Sequence, residues 1–258
     1  MRLFSERSEV LSVRISRALL ALLLLIGFVG YAQAFRFEPI SQDFAPSGAG
    51  ANRLFRAVNP GVERVAIRVT VHPRVVNVDG TEIIGDESPD FIVFPRQTLL
   101  APGETRSIRV RWQGSPPTDR ELAFRIVAEQ LPVDDGQELP AEGGGVRLTY
   151  RYEGTIYVTP AGVRPMVRVT ETRREVRDGR EVLRISVENS GGRHRLLTGV
   201  QLALADRPGG TARMELTGAA LSGMAGQNIL AGSVREFILP APANLWPGDV
   251  HATLLPAD

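Results

Sequence analysis

The sequence predicts an all-β chain made of two immunoglobulin-like β-sandwich domains, and three observations carry that prediction. Apolar residues alternate with polar ones along run after run, the period-two signature of a strand with one buried face. The 26 glycines and 18 prolines are spread through the 258 residues, as a chain with many turns requires. No long apolar repeat at helical spacing interrupts the series. The chain has no cysteine, so packing rather than disulfides has to hold the sandwiches together.

Residues 1–34 read as a leader. Arg14 and Arg17 precede the apolar run Ala18 to Gly30, which ends in Ala32-Gln33-Ala34. A basic flank, an apolar core and an A-x-A site make a secretory signal peptide cleaved near Ala34-Phe35. A retained transmembrane helix needs about 20 apolar residues, more than this run supplies. The remainder has room for two domains of about 100 residues each, expected at 35–160 and 163–258.

In the first domain, Arg53 to Val58 enters the turn Asn59-Pro60-Gly61, and Val62 to Val76 follows with Val65, Ile67, Val69 and Val71 in one phase. Proline fixes φ and glycine accepts positive φ, so the two runs are expected to form a hairpin. Asp90 to Phe94 is a short strand stopped by Pro95, and Leu100-Ala101-Pro102-Gly103-Glu104 is a turn. Thr105 to Trp112 points Ile108, Val110 and Trp112 inward and Arg109 and Arg111 outward. Glu121 to Leu131 competes as a helix, but its flanking prolines and alternating neighbours favour a strand. An acidic, glycine-rich loop from Val133 to Gly145 leads to the longest alternation. There Val146, Leu148, Tyr150, Tyr152, Ile156 and Val158 share a phase with Gly154 as the gap, against Arg147, Thr149, Arg151, Glu153, Thr155, Tyr157 and Thr159. About seven strands with such turns suit an immunoglobulin-like sandwich.

After Pro160-Ala161-Gly162 the alternation restarts at Val163, Pro165, Val167 and Val169. Shorter runs follow at Glu181 to Glu188, Thr198 to Ala205, Ala212 to Leu216 and Ser233 to Leu239. Turns at Asp178-Gly179, Gly191-Gly192 and Pro208-Gly209-Gly210 separate them, which predicts a second, smaller sandwich.

Catalytic and metal chemistry find no support in the residues. His72, His194 and His251 lie in separate segments, and without cysteine a zinc site of His and Cys is excluded. No G-x-S-x-G or P-loop occurs, and Gly48 to Arg53 fails the last position of G-x-G-x-x-G. Asp134, Asp135, Glu138 and Glu142 lack calcium-loop spacing and read as a solvated loop. No enzymatic activity, cofactor, metal or small-molecule substrate is therefore expected. Thirty basic and 29 acidic residues nearly balance, which argues against nucleic acid as a partner. Every basic residue is arginine, so any cationic site is built from guanidinium groups, which grip carboxylates bidentately. Arg125 breaks its local pattern by sitting between Ala123 and Val127 on one face of an apolar strand, where a charge must be exposed, paired or functional.

The order Phe91-Ile92-Val93-Phe94-Pro95, Leu100 to Glu104, Ile108-Arg109-Val110, Pro117 to Arg125 and Glu129-Gln130-Leu131-Pro132, followed by a variable loop and an alternating strand, resembles the periplasmic chaperones of the chaperone–usher pilus pathway. Arginine after Ala-Phe and the Gly-Val-Arg-Leu opening of the long strand look more like the archaic branch, which serves subunits related to spore coat protein U. The resemblance covers roughly Phe35 to Pro160, and the second domain only by size and position. It implies a boomerang of two immunoglobulin-like domains, in the periplasm, that binds one pilus subunit and delivers it to an outer-membrane usher. It further implies that the long strand is lent to a subunit lacking its own last strand, with Val146, Leu148, Tyr150 and Tyr152 as donor side chains. Self-association of the free chaperone is the hazard of such an edge. The P-pilus branch holds the subunit's terminal carboxylate with an arginine near the end of the first strand and a lysine on the long strand. The corresponding positions here fall near Ser41 and Glu153, so Arg125 and Arg151 are the candidate anchors. An immunoglobulin-like structural or adhesive pilus component is the competing reading; such a subunit should lack a strand, whereas this first domain reads as complete.

Overall fold

The computed structural model describes residues 34–133 and 148–255. Nearly all of the leader, most of the acidic loop and the donor candidate Val146 lie outside the described residues.

The alternating runs of the first lobe become β1 (Arg36–Glu38), β2 (Ser41–Phe44), β3 (Asn52–Val58), β4 (Val65–Val76), β5 (Glu82–Ile84), β6 (Phe91–Phe94), β7 (Gln97–Leu100), β8 (Thr105–Trp112), β9 (Leu122–Leu131) and β10 (Arg151–Val158). One sheet runs β1-β3-β8-β6, and the facing sheet runs β2-β10-β9-β4-β5 with β7 also on β4. Between them Phe55, Ile67, Val69, Ile108, Val110, Ile126 and Ile156 lose all exposure. The ring of Phe91 meets those of Phe44, Trp112 and Phe124 edge-on at 5.8, 5.0 and 4.9 Å and ties the two sheets together. The run from Leu122 is a strand, as its alternating neighbours imply.

The hairpin expected around Asn59-Pro60-Gly61 does not form. β3 pairs with β1 and β8, whereas β4 pairs with β5, β7 and β9, so the loop crosses from one sheet to the other. The cause is the fully buried Asn59. Its Nδ2 donates to the carbonyls of Glu63 (2.7 Å), Leu100 (3.2 Å) and Ala101 (3.1 Å), and its Oδ1 accepts from the Gly61 N–H at 3.1 Å. The side chain thus binds the end of β3 to the end of β7, and the turn residues serve a crossover.

The second lobe contains β11 (Val167–Arg177), β12 (Arg180–Asn189), β13 (Arg195–Leu196), β14 (Gln201–Ala205), β15 (Met214–Leu216), β16 (Asn228–Ile229), β17 (Ser233–Pro240) and β18 (His251–Leu255). Its sheets run β11-β12-β17 and β15-β14-β18, with β13 paired to β16. Leu183, Ile185, Val187, Leu202, Leu204, Phe237 and Leu239 form the core. Asn189 repeats the part played by Asn59: Nδ2 donates to the carbonyls of Arg193 (2.7 Å), Ile229 (3.2 Å) and Leu230 (3.2 Å), while Oδ1 accepts from Gly191 N–H (3.1 Å) and Met166 N–H (3.0 Å). Its acceptors lie 4, 40 and 41 residues along the chain, against 4, 41 and 42 for Asn59, so both lobes use one crossover plan.

Candidate functional site

β10 has two faces with different fates. Along its apolar phase Gly154, Ile156 and Val158 are buried in the first core. Tyr152 and Tyr150 are half-buried against that core, Tyr152 with its ring edge-on to Phe35 at 4.8 Å. Leu148 is 60% exposed. One row of side chains therefore passes from core to solvent within ten residues.

The edge of the strand changes with it. β9 pairs antiparallel with β10 from Arg151 to Val158, and the Gln130 N–H extends the ladder to the Tyr150 carbonyl at 2.8 Å. On the other side β2 runs parallel to β10 over Thr155 to Val158 only, after the Thr155 N–H bonds the Ile40 carbonyl at 2.8 Å. Among the described residues no strand pairs that edge from Leu148 to Gly154. Gly154 permits the closing contact, because a Cβ there would stand 2.8 Å from the Ile40 carbonyl oxygen and 2.9 Å from Ile126 Cγ2. This free edge and the exposed Leu148 together form the site.

The opposite face of the sheet is ionic. Arg125 donates to both carboxylate oxygens of Glu82, Nη2 to Oε2 at 2.7 Å, and through Nη1 to Thr155 Oγ1 at 2.7 Å. Arg74 reaches Glu82 as well, Nε to Oε2 at 2.9 Å. Arg151 donates to Glu153 at 2.8 Å and approaches Glu129, which is also the partner of Arg68. Arg125 stands opposite Thr155, while Arg151 stands opposite Glu129, four residues further along β9. At about 3.3 Å per residue that is roughly 13 Å, so the two arginines do not converge on one carboxylate. Burial raises the Glu82 carboxyl, and the hydrogen bond from Arg125 with the charges of Arg74 and Arg125 outweighs it, leaving the pKa lowered. Ser41, at the start of β2, and Glu153 bring no cation to either side.

Two arginines that the sequence reading passed over complete this region. Arg74 is largely buried, and Arg235 on β17 is 7% exposed. Among the described residues the Arg235 guanidinium has no hydrogen bond or ion pair; it lies over the Phe237 ring at 5.5 Å and packs against Gly80 in the loop between β4 and β5. Burial lowers its pKa, and the like charge of Arg74 lowers it further. The signal was present in the pattern, since Arg235 takes the inward phase shared with Phe237 and Leu239. Where the lobes meet, Glu121 accepts from His194 through the backbone N–H (3.2 Å) and Nδ1 (2.7 Å), Tyr157 stacks on His194 at 3.8 Å, and Asn228 donates to the Tyr157 hydroxyl at 2.6 Å. Among the described residues no group of three or more His, Asp or Glu side chains is placed to hold a metal ion.

Residues 52–164 match the family described as pili and flagellar-assembly chaperone, PapD N-terminal domain. No curated protein sequence matches the chain. Among solved structures, a chain of the CsuC–CsuE chaperone–tip adhesion subunit pre-assembly complex, from the archaic chaperone-usher Csu pili of Acinetobacter baumannii, is 16% identical. The match covers 85% of this chain and 98% of that one with a TM-score of 0.54. The class 5 fimbriae chaperone CfaA is 16% identical over 86% of this chain and all of its own, also at 0.54. A chain of the Salmonella enterica SafA pilin–SafB chaperone complex is 17% identical, covering 81% and 85% of the two chains at 0.52. The shared feature is the fold, two immunoglobulin-like sandwiches in one chain. The first lobe is thus similar to the N-terminal domain of that family, and the chain as a whole shares the two-sandwich fold of these fimbrial chaperones.

Proposed function

We propose that the protein is a non-catalytic periplasmic chaperone that binds one pilus subunit by strand addition along β10 and passes it to an outer-membrane usher. The observation that carries the reading is the free edge of β10 from Leu148 to Gly154, headed by an exposed leucine. An unpaired edge offers backbone donors and acceptors to an incoming chain, and alternate side chains select it. Val146 and Leu148 enter the subunit's groove, each contributing about 1.5–3 kcal/mol on burial. Tyr150 and Tyr152 stand at the boundary, packed on the chaperone's core and available at the edge. The subunit's terminal carboxylate is held by Arg151, which exchanges the neighbouring Glu153, or by Arg125, which must release Glu82. The expected leader and the two domains at 35–160 and 163–258 belong to this reading, as does the archaic branch of the family.

The test is co-expression with the pilin encoded nearest to the chaperone. Leu148→Glu leaves circular dichroism and melting unchanged and abolishes co-purification of the pilin. Retained binding, or recovery of the protein in shed fibres instead of the periplasm, overturns the proposal. Arg125→Ala and Arg151→Ala, measured separately, identify the anchor by which of them weakens binding at least tenfold.

A further inference from the structure

The second lobe stays open where its sheets meet. β11 and β18 approach each other at that corner, yet they belong to different sheets, and Ala252 N–H bonds the side chain of Thr172 at 3.0 Å where a ladder would put a carbonyl. Beside this contact lies a slot of about 290 Å³ between the start of β11 and the end of β18. Val167, Leu197, Val200 and Leu254 line it, and all four belong to or pack against the second core. The slot is therefore an opening into the apolar interior. Its volume stands at the small end of the roughly 300–1,000 Å³ found for small-molecule sites.

One charged residue joins this lining. Arg195 is exposed, and among the described residues its guanidinium makes no hydrogen bond or ion pair. Arg168 and Arg184, on β11 and β12, are both paired with glutamates, whereas Arg195 stands at the slot with its guanidinium free among the described residues. An apolar slot with one free guanidinium suits a molecule that is aliphatic at one end and singly anionic at the other. A lone cation balances a carboxylate, whereas a phosphate carrying nearly two charges calls for a second. A peptide would also need partners for its backbone, and Thr198 is the one other polar side chain in the lining.

We propose that this slot binds an aliphatic carboxylate, with its methylene chain among Val167, Leu197, Val200 and Leu254 and its carboxylate on Arg195. The site lies on the second lobe and uses no residue of β10, so it stands whether or not β10 binds a subunit.

The test is calorimetric titration of the purified protein with hexanoate, octanoate and decanoate below their micelle concentrations. Affinity rises about fourfold per methylene, the equivalent of about 0.8 kcal/mol each, until the slot is full. Arg195→Gln, an exposed substitution that leaves melting unchanged, weakens decanoate about tenfold and leaves decanol unaffected. Methyl resonances of Val167, Leu197, Val200 and Leu254 shift on binding. Absence of binding, indifference to chain length or to Arg195→Gln, or shifts centred on other residues overturns the proposal. So does a protein lacking residues 256–258 whose methyl groups at the slot shift without any added ligand, because the slot then belongs to the chain's own end.

Discussion

A carboxamide has two N–H groups, so Asn59 and Asn189, each set against three carbonyls, must share their hydrogens. Both residues are fully buried, and water cannot replace what they supply. Each buried group left without a partner costs about 1–3 kcal/mol. Asn59→Ala should lower stability by about 2 kcal/mol in urea unfolding. Asn189→Ala should cost about 3 kcal/mol, because the Met166 N–H also loses its acceptor. Losses below about 0.5 kcal/mol, the surface level, would rule out the crossover role. Glu82 allows a second test at this scale. Its folded pKa lies below the ordinary glutamate value of about 4.3, so the stability it confers is complete above that pH and lost as pH falls through the folded value. Glu82→Gln leaves Arg125, 18% exposed, without a carboxylate and should cost about 2 kcal/mol at pH 7. The gap between wild type and variant should narrow as pH falls below the ordinary glutamate range and close as it passes through the lowered folded value; a gap that is flat with pH would refute the pairing. Arg125 was legible because a charge interrupted an apolar strand. Glu82 was not, since it lies 43 residues away at the start of β5, a three-residue strand with no alternation long enough to read.

At the scale of the element, β10 shows what alternation reveals and what it leaves out. The period-two row puts Leu148, Ile156 and Val158 on one apolar face, yet Ile156 and Val158 are in the core while Leu148 is exposed, because periodicity alone cannot mark where along a strand the cover ends. That limit is set by β2, a four-residue strand whose parallel pairing begins at Thr155 and leaves little trace in local sequence. Gly154, a mere gap in the alternation, is the residue on which this boundary rests. Gly154→Ala puts a methyl against the Ile40 carbonyl and Ile126, a small-to-large change worth about 1–3 kcal/mol. It should also speed hydrogen exchange of the Thr155 amide, whose acceptor is that carbonyl. Unchanged exchange would show that β2 is not held there. The Asn59 turn misled for a related reason: proline and glycine announce a change of direction, while the destination sheet depends on a buried side chain and on carbonyls about forty residues away.

For the whole molecule the question is whether the two lobes unfold together. Few inter-lobe contacts were legible beforehand, because Glu121 and His194 are 73 residues apart and neither carries a local signature. In the folded chain Glu121 has a 1% exposed side chain that holds the His194 ring and backbone and also accepts from Thr159 Oγ1 at 2.8 Å. Its own backbone N–H donates to the Gly192 carbonyl at 2.8 Å. Around it stand the Tyr157–His194 stack, the bond from Asn228 to Tyr157, the Arg193–Asp43 pair at 2.8 Å and the Glu236 N–H on the Val78 carbonyl at 2.7 Å. Interfaces between domains of one chain are ordinarily loose, but a buried carboxylate with three donors couples whatever it joins. Wild type should therefore melt in one calorimetric transition, with calorimetric and van't Hoff enthalpies agreeing. Glu121→Ala removes the acceptor from three N–H or O–H groups and should split the transition in two, one per lobe. A single transition that merely moves to lower temperature would show that the remaining contacts suffice and that Glu121 stabilises its own lobe alone. A variant such as Arg193→Ala, which breaks an exposed pair worth about 0–1 kcal/mol, should leave the transition single and nearly unmoved.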